Sequence, residues 1–157
     1  MLRRGDKYQI ITASEEGYFF TKADILAGNS DSIEMFLVPI VLNAKLTLND
    51  ITFETNSAEL RESSQFELDR IVELMHVNPK LAIEISAHTD DVGDEKLNLK
   101  LSEKRAQSAL EYLISRGVSQ ERLLPKGYGE SSPAVSNDSD ENRALNRRVE
   151  LRVLKTS

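Results

Sequence analysis

The chain has 157 residues, of which 39% are hydrophobic and 29% are charged, a composition typical of globular domains. It contains no cysteine, which excludes disulfides, zinc–thiolate sites and thiol nucleophiles. The net charge of −6 argues against a large phosphate-binding surface and therefore against nucleic acid as a partner. No run approaches the ~18 apolar residues of a membrane-spanning helix. The basic start lacks the apolar stretch of a signal peptide, so the chain is interpreted as cytoplasmic or as a piece of a longer secreted protein.

The first part of the chain, residues 1–47, is predicted to be a partial β-rich segment. Residues 8–12 alternate in the manner of a strand, and a turn then leads into residues 18–20, which predicts a hairpin. A further apolar strand is predicted over residues 35–42, where Pro39 indicates an edge position. So few strands do not form a stable sandwich alone, so the segment is interpreted as the end of a preceding domain or a linker.

The remainder, residues 48–157, shows alternating strand and helix patterns. The order β-α-β-α-β-(α)-β predicts an α/β sandwich in which the helices pack on one face of a mixed sheet. Capping residues and breakers mark the helices. The predicted strands are at 51–53, at 81–86 with one buried face, and at 149–153, with an extended piece at 122–129. The first predicted helix runs from a capping box at 64–67 to Asn78-Pro79 and has an apolar stripe of Leu68, Ile71, Val72 and Met75. The second runs from Asp94 to about Arg116 and is followed by Gly117, and a short third helix ends at Asn146.

A polar line runs along the second predicted helix beside its apolar stripe. Asn98, Ser102 and Arg105 follow each other at i, i+4 and i+7, so they lie on one side of the helix. Asp90 comes just after the preceding strand, and Gly93 lets the chain turn sharply before the helix begins. A carboxylate and a guanidinium are therefore predicted to converge on one small place.

Asp90 and Arg105 together have the chemistry to hold a zwitterion. A carboxylate accepts hydrogen bonds from an ammonium group, and a guanidinium grips a carboxylate with two parallel hydrogen bonds. The matching ligand is the free amino-acid end of a longer side chain. In the alternative, Asp90 and Arg105 only pair with each other, which contributes about 0–1 kcal/mol at a surface. The spacing alone leaves both interpretations open.

Four stretches of the chain resemble one known family, in the family's order. They are ITFETNSAEL, ISAHTDDVGDEKLNLKLSEKRAQSALEYLISRGV, RLLPKGYGESSP and NRALNRRVELRV. In these stretches the chain resembles the OmpA-like peptidoglycan-binding domain, the C-terminal module shared by OmpA, the peptidoglycan-associated lipoprotein and the flagellar stator anchors. The resemblance implies non-covalent binding of diaminopimelate-type peptidoglycan without a cofactor. It also implies an outer-membrane or periplasmic protein of a Gram-negative-type envelope, attached to the outer membrane through parts outside this chain.

The same resemblance implies which residues form the binding site. Asp90 would take the ammonium group of the free end of diaminopimelate, and Arg105 would take its carboxylate. The chain departs from the family at Ala87, where glycine is usual, and at Asp91, where asparagine is common. Neither departure removes a contacting group, and the charge of Asp91 is expected to tighten ammonium binding slightly or to have no effect. The supporting residues that match the family's motifs are Thr89, Asn98 and Leu101 of HTD…N..LS..RA, Asn56 of FxTN, and Arg147, the first arginine of NRR.

The N-terminal stretch YQIITASEEGYFF is similar to the closing strands of the carboxypeptidase-regulatory-like sandwich, which often precedes this module in envelope proteins. That similarity interprets residues 1–47 as the remnant of a neighbouring domain.

Three other classes of function compete with wall binding. A metal site is disfavoured because the acids between Asp90 and Glu95 miss the order of a calcium loop. An enzyme is not predicted, since the only histidines are His76 and His88, there is no G-x-S-x-G elbow, and the glycines of GYGESSP are interpreted as turn residues. The third class, an envelope protein–protein interaction module without wall binding, stays open, as do the envelope partners and the oligomeric state.

Overall fold

A computed structural model describes residues 7–11, 16–19, 22–26 and 38–156 of the chain. Its N-terminal part forms two small antiparallel ladders, in which the first strand pairs with the third and the second with the fourth. The predicted hairpin is wrong in its pairing, because the five-residue first strand lies against a third strand of equal length. Thr12, Phe20 and residues 35–37 of the predicted strands lie outside the described residues. The strands are β1 Lys7–Ile11, β2 Tyr18–Phe19, β3 Lys22–Leu26 and β4 Val38–Pro39.

The centre of the fold is a mixed four-stranded sheet with the order β5-β8-β6-β7. The central strand, β6, is parallel to β7 and antiparallel to β8. The strand predicted at residues 51–53 does not join this sheet, because Phe53 makes an isolated bridge to Leu60 within its own loop. The edge position beside β8 is taken by β5, which comes from the segment predicted to end at residue 47. The strands are β5 Lys45–Thr47, β6 Ala82–His88, β7 Leu123–Gly129 and β8 Val149–Lys155.

The predicted α/β class is confirmed, with helices α1 Gln65–Val77, α2 Glu95–Ser115 and α3 Asp140–Asn146. The apolar stripes of α1 and α2 join β6 and β8 in one buried cluster. The predicted cap of α2 is also confirmed, since Oδ1 of Asp94 accepts a hydrogen bond from the Leu97 N–H at 3.0 Å. Within the described residues, no helix has both the length and the apolar content that crossing a membrane requires.

The predicted capping box at the start of α1 is wrong. A 3-10 turn, Glu62–Ser64, precedes α1, so Ser64 already has helical backbone angles and its side chain caps nothing. Its Oγ instead accepts from the Thr52 N–H and donates to the Thr52 carbonyl oxygen, both at 2.9 Å. Ser64 therefore ties the start of α1 to the loop that follows β5.

The strand β6 is buried on both faces, which corrects the prediction of one buried face. Ile83 and Ile85 are fully buried towards the helices, and Glu84 on the other face is only 3% exposed. The Glu84 carboxylate accepts hydrogen bonds from Arg152 at 2.7 Å and from the Tyr128 hydroxyl at 3.2 Å. A buried charge needs such partners, so the second face is closed by polar pairs and not by an apolar layer.

Two glycines of β7 bring α2 unusually close to the sheet. A Cβ added at Gly127 would lie 2.4 Å from the backbone nitrogen of Glu103, and one at Gly129 would lie 2.9 Å from that of Leu99. Gly129 also has a positive φ of 53°. These glycines were interpreted as turn residues from the sequence, but they lie in a strand, where they permit close contact with α2.

Candidate functional site

A cleft of about 430 Å³ lies where the loop after β5 meets α2 and the adjoining ends of β6 and β8. Four arginines line it, namely Arg61, Arg105, Arg147 and Arg148. So many guanidinium groups around one cleft favour a ligand with carboxylate groups, because arginine binds planar anions with paired hydrogen bonds.

Three of these four arginines are held by carboxylates of the protein. Arg105 is the exception, because it forms no ion pair with any residue in the described part of the chain. The cleft therefore contains one guanidinium that no carboxylate of the described residues pairs with. The pairs are Arg61 with Glu54 at 3.2 Å, Arg147 with Asp90 at 2.6 Å and Arg148 with Glu150 at 2.7 Å.

The guanidinium of Arg105 is held in a fixed orientation by the loop opposite α2. Its Nε donates to the Ser57 carbonyl oxygen at 2.9 Å, and its central carbon lies 5.1 Å from the ring centroid of Phe53. Burial lowers the pKa of Arg105, Asp90 opposes this shift, and Arg147 adds to it. The two terminal nitrogens make no hydrogen bond among the described residues, so they are free to bind a carboxylate.

The carboxylate of Asp90 lies in the turn after β6 and is 13% exposed. Its Oδ1 accepts from the Val92 N–H at 3.2 Å, and its Oδ2 accepts from Nη1 of Arg147 at 2.6 Å. The alternative in which Asp90 and Arg105 pair only with each other is therefore not what the structure contains. Each oxygen of Asp90 retains capacity for a further donor, such as an ammonium group.

The polar line on α2 fastens the helix to three other segments. Nδ2 of Asn98 donates to Glu130 at 2.7 Å and to the Val92 carbonyl oxygen at 3.2 Å, which holds the turn that carries Asp90. Oγ of Ser102 accepts from the Gly129 N–H at 2.8 Å. Asn98 thus supports the turn that carries Asp90, and of this line it is Arg105 that lines the cleft.

The other residues predicted from the family motifs divide into two groups. Asn56, with a positive φ of 52°, and Arg147 line the cleft. Leu101 does not line the cleft; it lines another groove, which has Asn56 in common with the cleft. Thr89 is 4% exposed; its N–H donates to the Gly129 carbonyl oxygen at 2.9 Å, and its hydroxyl has no partner among the described residues. The structure therefore brings Asn56, Arg105 and Arg147 together in the cleft. Asp90 is not among the residues that line it and is connected to it through its hydrogen bond with Arg147.

Two contributors to the site were missed from the sequence. Phe53 supplies the ring beneath Arg105, and Ser57 supplies a backbone carbonyl to its Nε. Both lie in the ITFETNSAEL stretch. Phe53 is the phenylalanine of the FxTN motif in that stretch, so the sequence contained a signal for it. A backbone carbonyl is present at every residue, so no sequence feature could have identified that of Ser57.

His88 also lines the cleft, and its ring is buried in the polar face of the sheet. The ring stacks on Tyr128 with centroids 5.0 Å apart, and its Nε2 lies 3.8 Å from a carboxylate oxygen of Glu150. Burial and the charge of Arg148 lower the pKa of His88 to about 4, although Glu150 acts in the opposite direction. His88 is therefore a neutral packing residue at neutral pH, as its position in the strand predicts.

No group of three or more histidine, aspartate or glutamate side chains is arranged to hold a metal ion within the ranges that the structure describes.

The profile of the OmpA family matches residues 52–147, which make up more than half of the chain and contain Asn56, Asp90, Arg105 and Arg147. The chain therefore belongs to the OmpA family.

Named relatives and a solved structure agree with this assignment. The chain is 34% identical over 128 residues to the probable lipoprotein YiaD of Escherichia coli (strain K12), an alignment that covers 82% of this chain and 57% of that protein. It is 34% identical over 106 residues to the peptidoglycan-binding protein ArfA of Mycobacterium bovis, covering 68% of this chain and 32% of ArfA. The crystal structure of a putative MotB-like protein from Desulfovibrio vulgaris superposes with a TM-score of 0.65 and 31% identity, covering 72% of this chain and 74% of that one. The chain thus spans less than two thirds of the length of either curated relative.

Proposed function

We propose that this chain binds diaminopimelate-type peptidoglycan non-covalently and anchors an outer-membrane or periplasmic protein to the cell wall. The observation that carries the proposal is Arg105, the cleft arginine without an ion-pair partner among the described residues, set beside the carboxylate of Asp90. Membership of the OmpA family and the likeness to ArfA, which is named a peptidoglycan-binding protein, support the choice of ligand.

In the proposed complex, the free end of the diaminopimelate side chain enters the cleft as a zwitterion. Its carboxylate binds the two terminal nitrogens of Arg105, whose orientation is already fixed by Ser57 and Phe53. Its ammonium group donates to Asp90, which shares its negative charge between the ligand and Arg147. Because the guanidinium is ordered before binding, little side-chain entropy is lost when the ligand arrives.

Binding of a single stem peptide is expected to be weak. Each charge-assisted hydrogen bond contributes about 1.5–3 kcal/mol, and association costs several kcal/mol. The wall presents the same stem peptide many times, so a binder tethered to the membrane gains from the high effective concentration. An anchor therefore needs strong binding summed over many stem peptides and does not need tight binding at a single site.

The proposed role is non-catalytic and requires no cofactor. It places the domain in the envelope of a Gram-negative-type bacterium, on the periplasmic side of the outer membrane, with attachment through other parts of the natural protein. The division into a β-rich segment at 1–47 and a binding domain at 48–157 is part of the same proposal.

A calorimetric titration with a soluble diaminopimelate-containing tripeptide tests the proposal. Wild type is expected to bind saturably, and Asp90→Asn and Arg105→Gln are each expected to weaken binding at least about tenfold through loss of a charge-assisted contact. Arg116→Gln is the matched control, because Arg116 follows the same helix and pairs with Asp69 at 3.4 Å outside the cleft.

The lysine-type tripeptide, which lacks the terminal carboxylate, provides the ligand control. It is expected to bind much more weakly than the diaminopimelate form, and equal binding of the two would contradict the role of Arg105. If a folded wild type bound neither peptide, wall anchoring would be rejected and an envelope protein partner would become the better explanation of the cleft.

A further inference from the structure

A second groove of about 470 Å³ adjoins the cleft at Arg147 and Arg148. Four residues line both cavities, namely Ile51, Thr52, Arg147 and Arg148. The two cavities therefore meet at Arg147, so a peptide whose diaminopimelate side chain occupies the cleft lies next to this groove.

The second groove has a mainly apolar lining. Its far wall is formed by the segment before α3 and by one side of α3 itself, where Leu145 is 58% exposed. Such an exposed leucine on a short helix gains by being covered, since each buried methylene contributes to affinity. The apolar residues that line the groove are Leu48, Ile51, Ala134, Val135, Ala144 and Leu145.

The wall of this groove that Ala134 and Val135 form is held in place by Asn146. Asn146 is fully buried, and its Oδ1 accepts from the N–H groups of Ala134 at 2.8 Å and Val135 at 3.1 Å. Its Nδ2 donates to the Val135 carbonyl oxygen and to Asn137, both at 2.8 Å. Because Oδ1 and Nδ2 of Asn146 are both hydrogen-bonded, this side chain holds the wall in one conformation. The groove is therefore formed before a ligand binds.

The two arginines that line both cavities differ in how many of their donors are already hydrogen-bonded within the protein. Arg148 donates to Glu150, to the Ser132 carbonyl oxygen at 3.2 Å and to the Asn146 carbonyl oxygen at 3.4 Å, so it forms part of the wall. The side chain of Arg147 is 49% exposed, and among the described residues its hydrogen bond is the one to Asp90. Arg147 therefore has donors left for a second carboxylate.

We propose that this groove binds the alanine that comes after diaminopimelate in the stem peptide, with Arg147 binding the carboxylate of that alanine. The inference rests on the proposed function, because it takes the diaminopimelate side chain in the cleft as its starting point. The shared lining with the cleft, the mainly apolar lining of the groove and the remaining donors of Arg147 all match a residue that has a methyl side chain and a terminal carboxylate. The site would thus distinguish stem peptides that end at diaminopimelate from those that carry one more residue.

The test compares three synthetic peptides by calorimetry: the tripeptide that ends in diaminopimelate, the tetrapeptide that ends in D-alanine, and the tetrapeptide with a C-terminal amide. The tetrapeptide is expected to bind wild type about fourfold or more tightly than the tripeptide, as burial of one methyl group contributes. Amidation is expected to remove part of the affinity, because an amide loses the charge-assisted contact with Arg147.

Leu145→Ser is expected to abolish the gain from D-alanine, and Arg147→Met is expected to abolish the difference between acid and amide. Leu124→Ser is the matched control, since Leu124 is 46% exposed on β7 and lies outside both cavities. Equal binding of tripeptide and tetrapeptide by wild type, or a gain that survives in Leu145→Ser, would overturn the groove while leaving the cleft intact. Absence of tripeptide binding by a folded wild type would instead overturn the proposed function and the groove with it.

Discussion

Arg147 donates a hydrogen bond from Nη1 to Oδ2 of Asp90 at 2.6 Å and thereby joins two residues that are 57 positions apart in the chain. Both residues were predicted as site residues, but as separate contacts to a ligand. In this pair the Asp90 carboxylate is already bound to a guanidinium group. The ammonium group of a ligand therefore has to share this carboxylate with Arg147. Arg105 faces no such competition, because its carboxylate partner is not supplied by the described residues.

The Asp90–Arg147 pair is expected to contribute little to folding. Arg147 is half exposed, and exposed ion pairs typically contribute about 0–1 kcal/mol. A double-mutant cycle with Asp90→Asn, Arg147→Met and the double variant, followed by urea unfolding, should give a coupling free energy below about 1 kcal/mol that falls further in high salt. A coupling of about 3 kcal/mol or more would show that the pair is a structural element and not a binding group.

Ser64 is expected to matter for both stability and binding, although it lies outside the cleft. It is fully buried, and Ser64→Ala leaves the Thr52 N–H without its partner and removes one of the two donors to the Thr52 carbonyl oxygen, the other being the Arg61 N–H at 3.1 Å. The loss should lower the free energy of unfolding by about 1–3 kcal/mol, as measured by urea denaturation. Because Thr52 precedes Phe53, the ring beneath Arg105 should also become less ordered and tripeptide binding should weaken.

Ser115→Ala provides the comparison for Ser64→Ala. The Ser115 hydroxyl donates to the Tyr112 carbonyl oxygen at an exposed position near the end of α2, so its loss should change the free energy of unfolding by less than about 0.5 kcal/mol. Similar stability of the two variants would contradict the role given to Ser64.

The sequence predicted those elements whose causes are local. The end of α1 at Asn78 and the start of α2 at Asp94 follow from residues within one turn of each boundary, and both predictions are confirmed. The capping box at Ser64 was wrong because a local motif competed with a partner twelve positions away, Thr52, whose backbone takes the hydroxyl group. Propensity rules contain no information about such a partner.

Strand pairing and ion pairing were harder to predict for the same reason. β5 was placed in the N-terminal segment, and only its register with β8, more than a hundred residues later, shows that it forms the sheet edge. The family resemblance supplied Asp90, Arg105 and Arg147 as site residues, but not which of them pair. Which of these charged residues pair depends on the distances between their side chains in the folded protein. A spacing rule along one helix does not describe those distances.

Gly127 is expected to be intolerant of even one added carbon. In Gly127→Ala, the new Cβ would lie 2.4 Å from the backbone nitrogen of Glu103, and a helix backbone cannot move away as a flexible side chain can. Separating α2 from β7 should lower the free energy of unfolding by at least about 2 kcal/mol in a thermal or urea titration. Lys126→Ala on the same strand, at an exposed position, should cost less than about 1 kcal/mol.

Gly127→Ala should also disturb the structure around the cleft. The reason is that Gly129, at the end of the same strand, is hydrogen-bonded to Thr89 and Ser102. If Gly127→Ala were as stable as wild type, the close approach of α2 to β7 would not exist in solution.

His88 is expected to make the fold less stable in mild acid. Its pKa is lowered to about 4 from the 6.5 of a free histidine, chiefly by burial, so the unfolded chain binds a proton in a pH range where the folded chain does not. The stabilising effect of a neutral His88 is fully present above about pH 6.5 and is lost as the pH falls towards 4. Over that window the free energy of unfolding should fall by up to about 3 kcal/mol.

Urea unfolding at several pH values between about 4 and 8 measures this loss, and His88→Gln should flatten the curve because glutamine does not titrate. The exposed His76 is the matched control, so His76→Gln should retain the fall in stability. Burial raises the pKa of Glu150, but the hydrogen bond and charge of Arg148 outweigh burial and leave that pKa lowered. The effect of Glu150 on stability is therefore lost at still lower pH and does not account for a fall that begins near pH 6. A His88→Gln curve parallel to that of wild type would mean that His88 is solvated in the folded protein and that the polar face of the sheet is open to water.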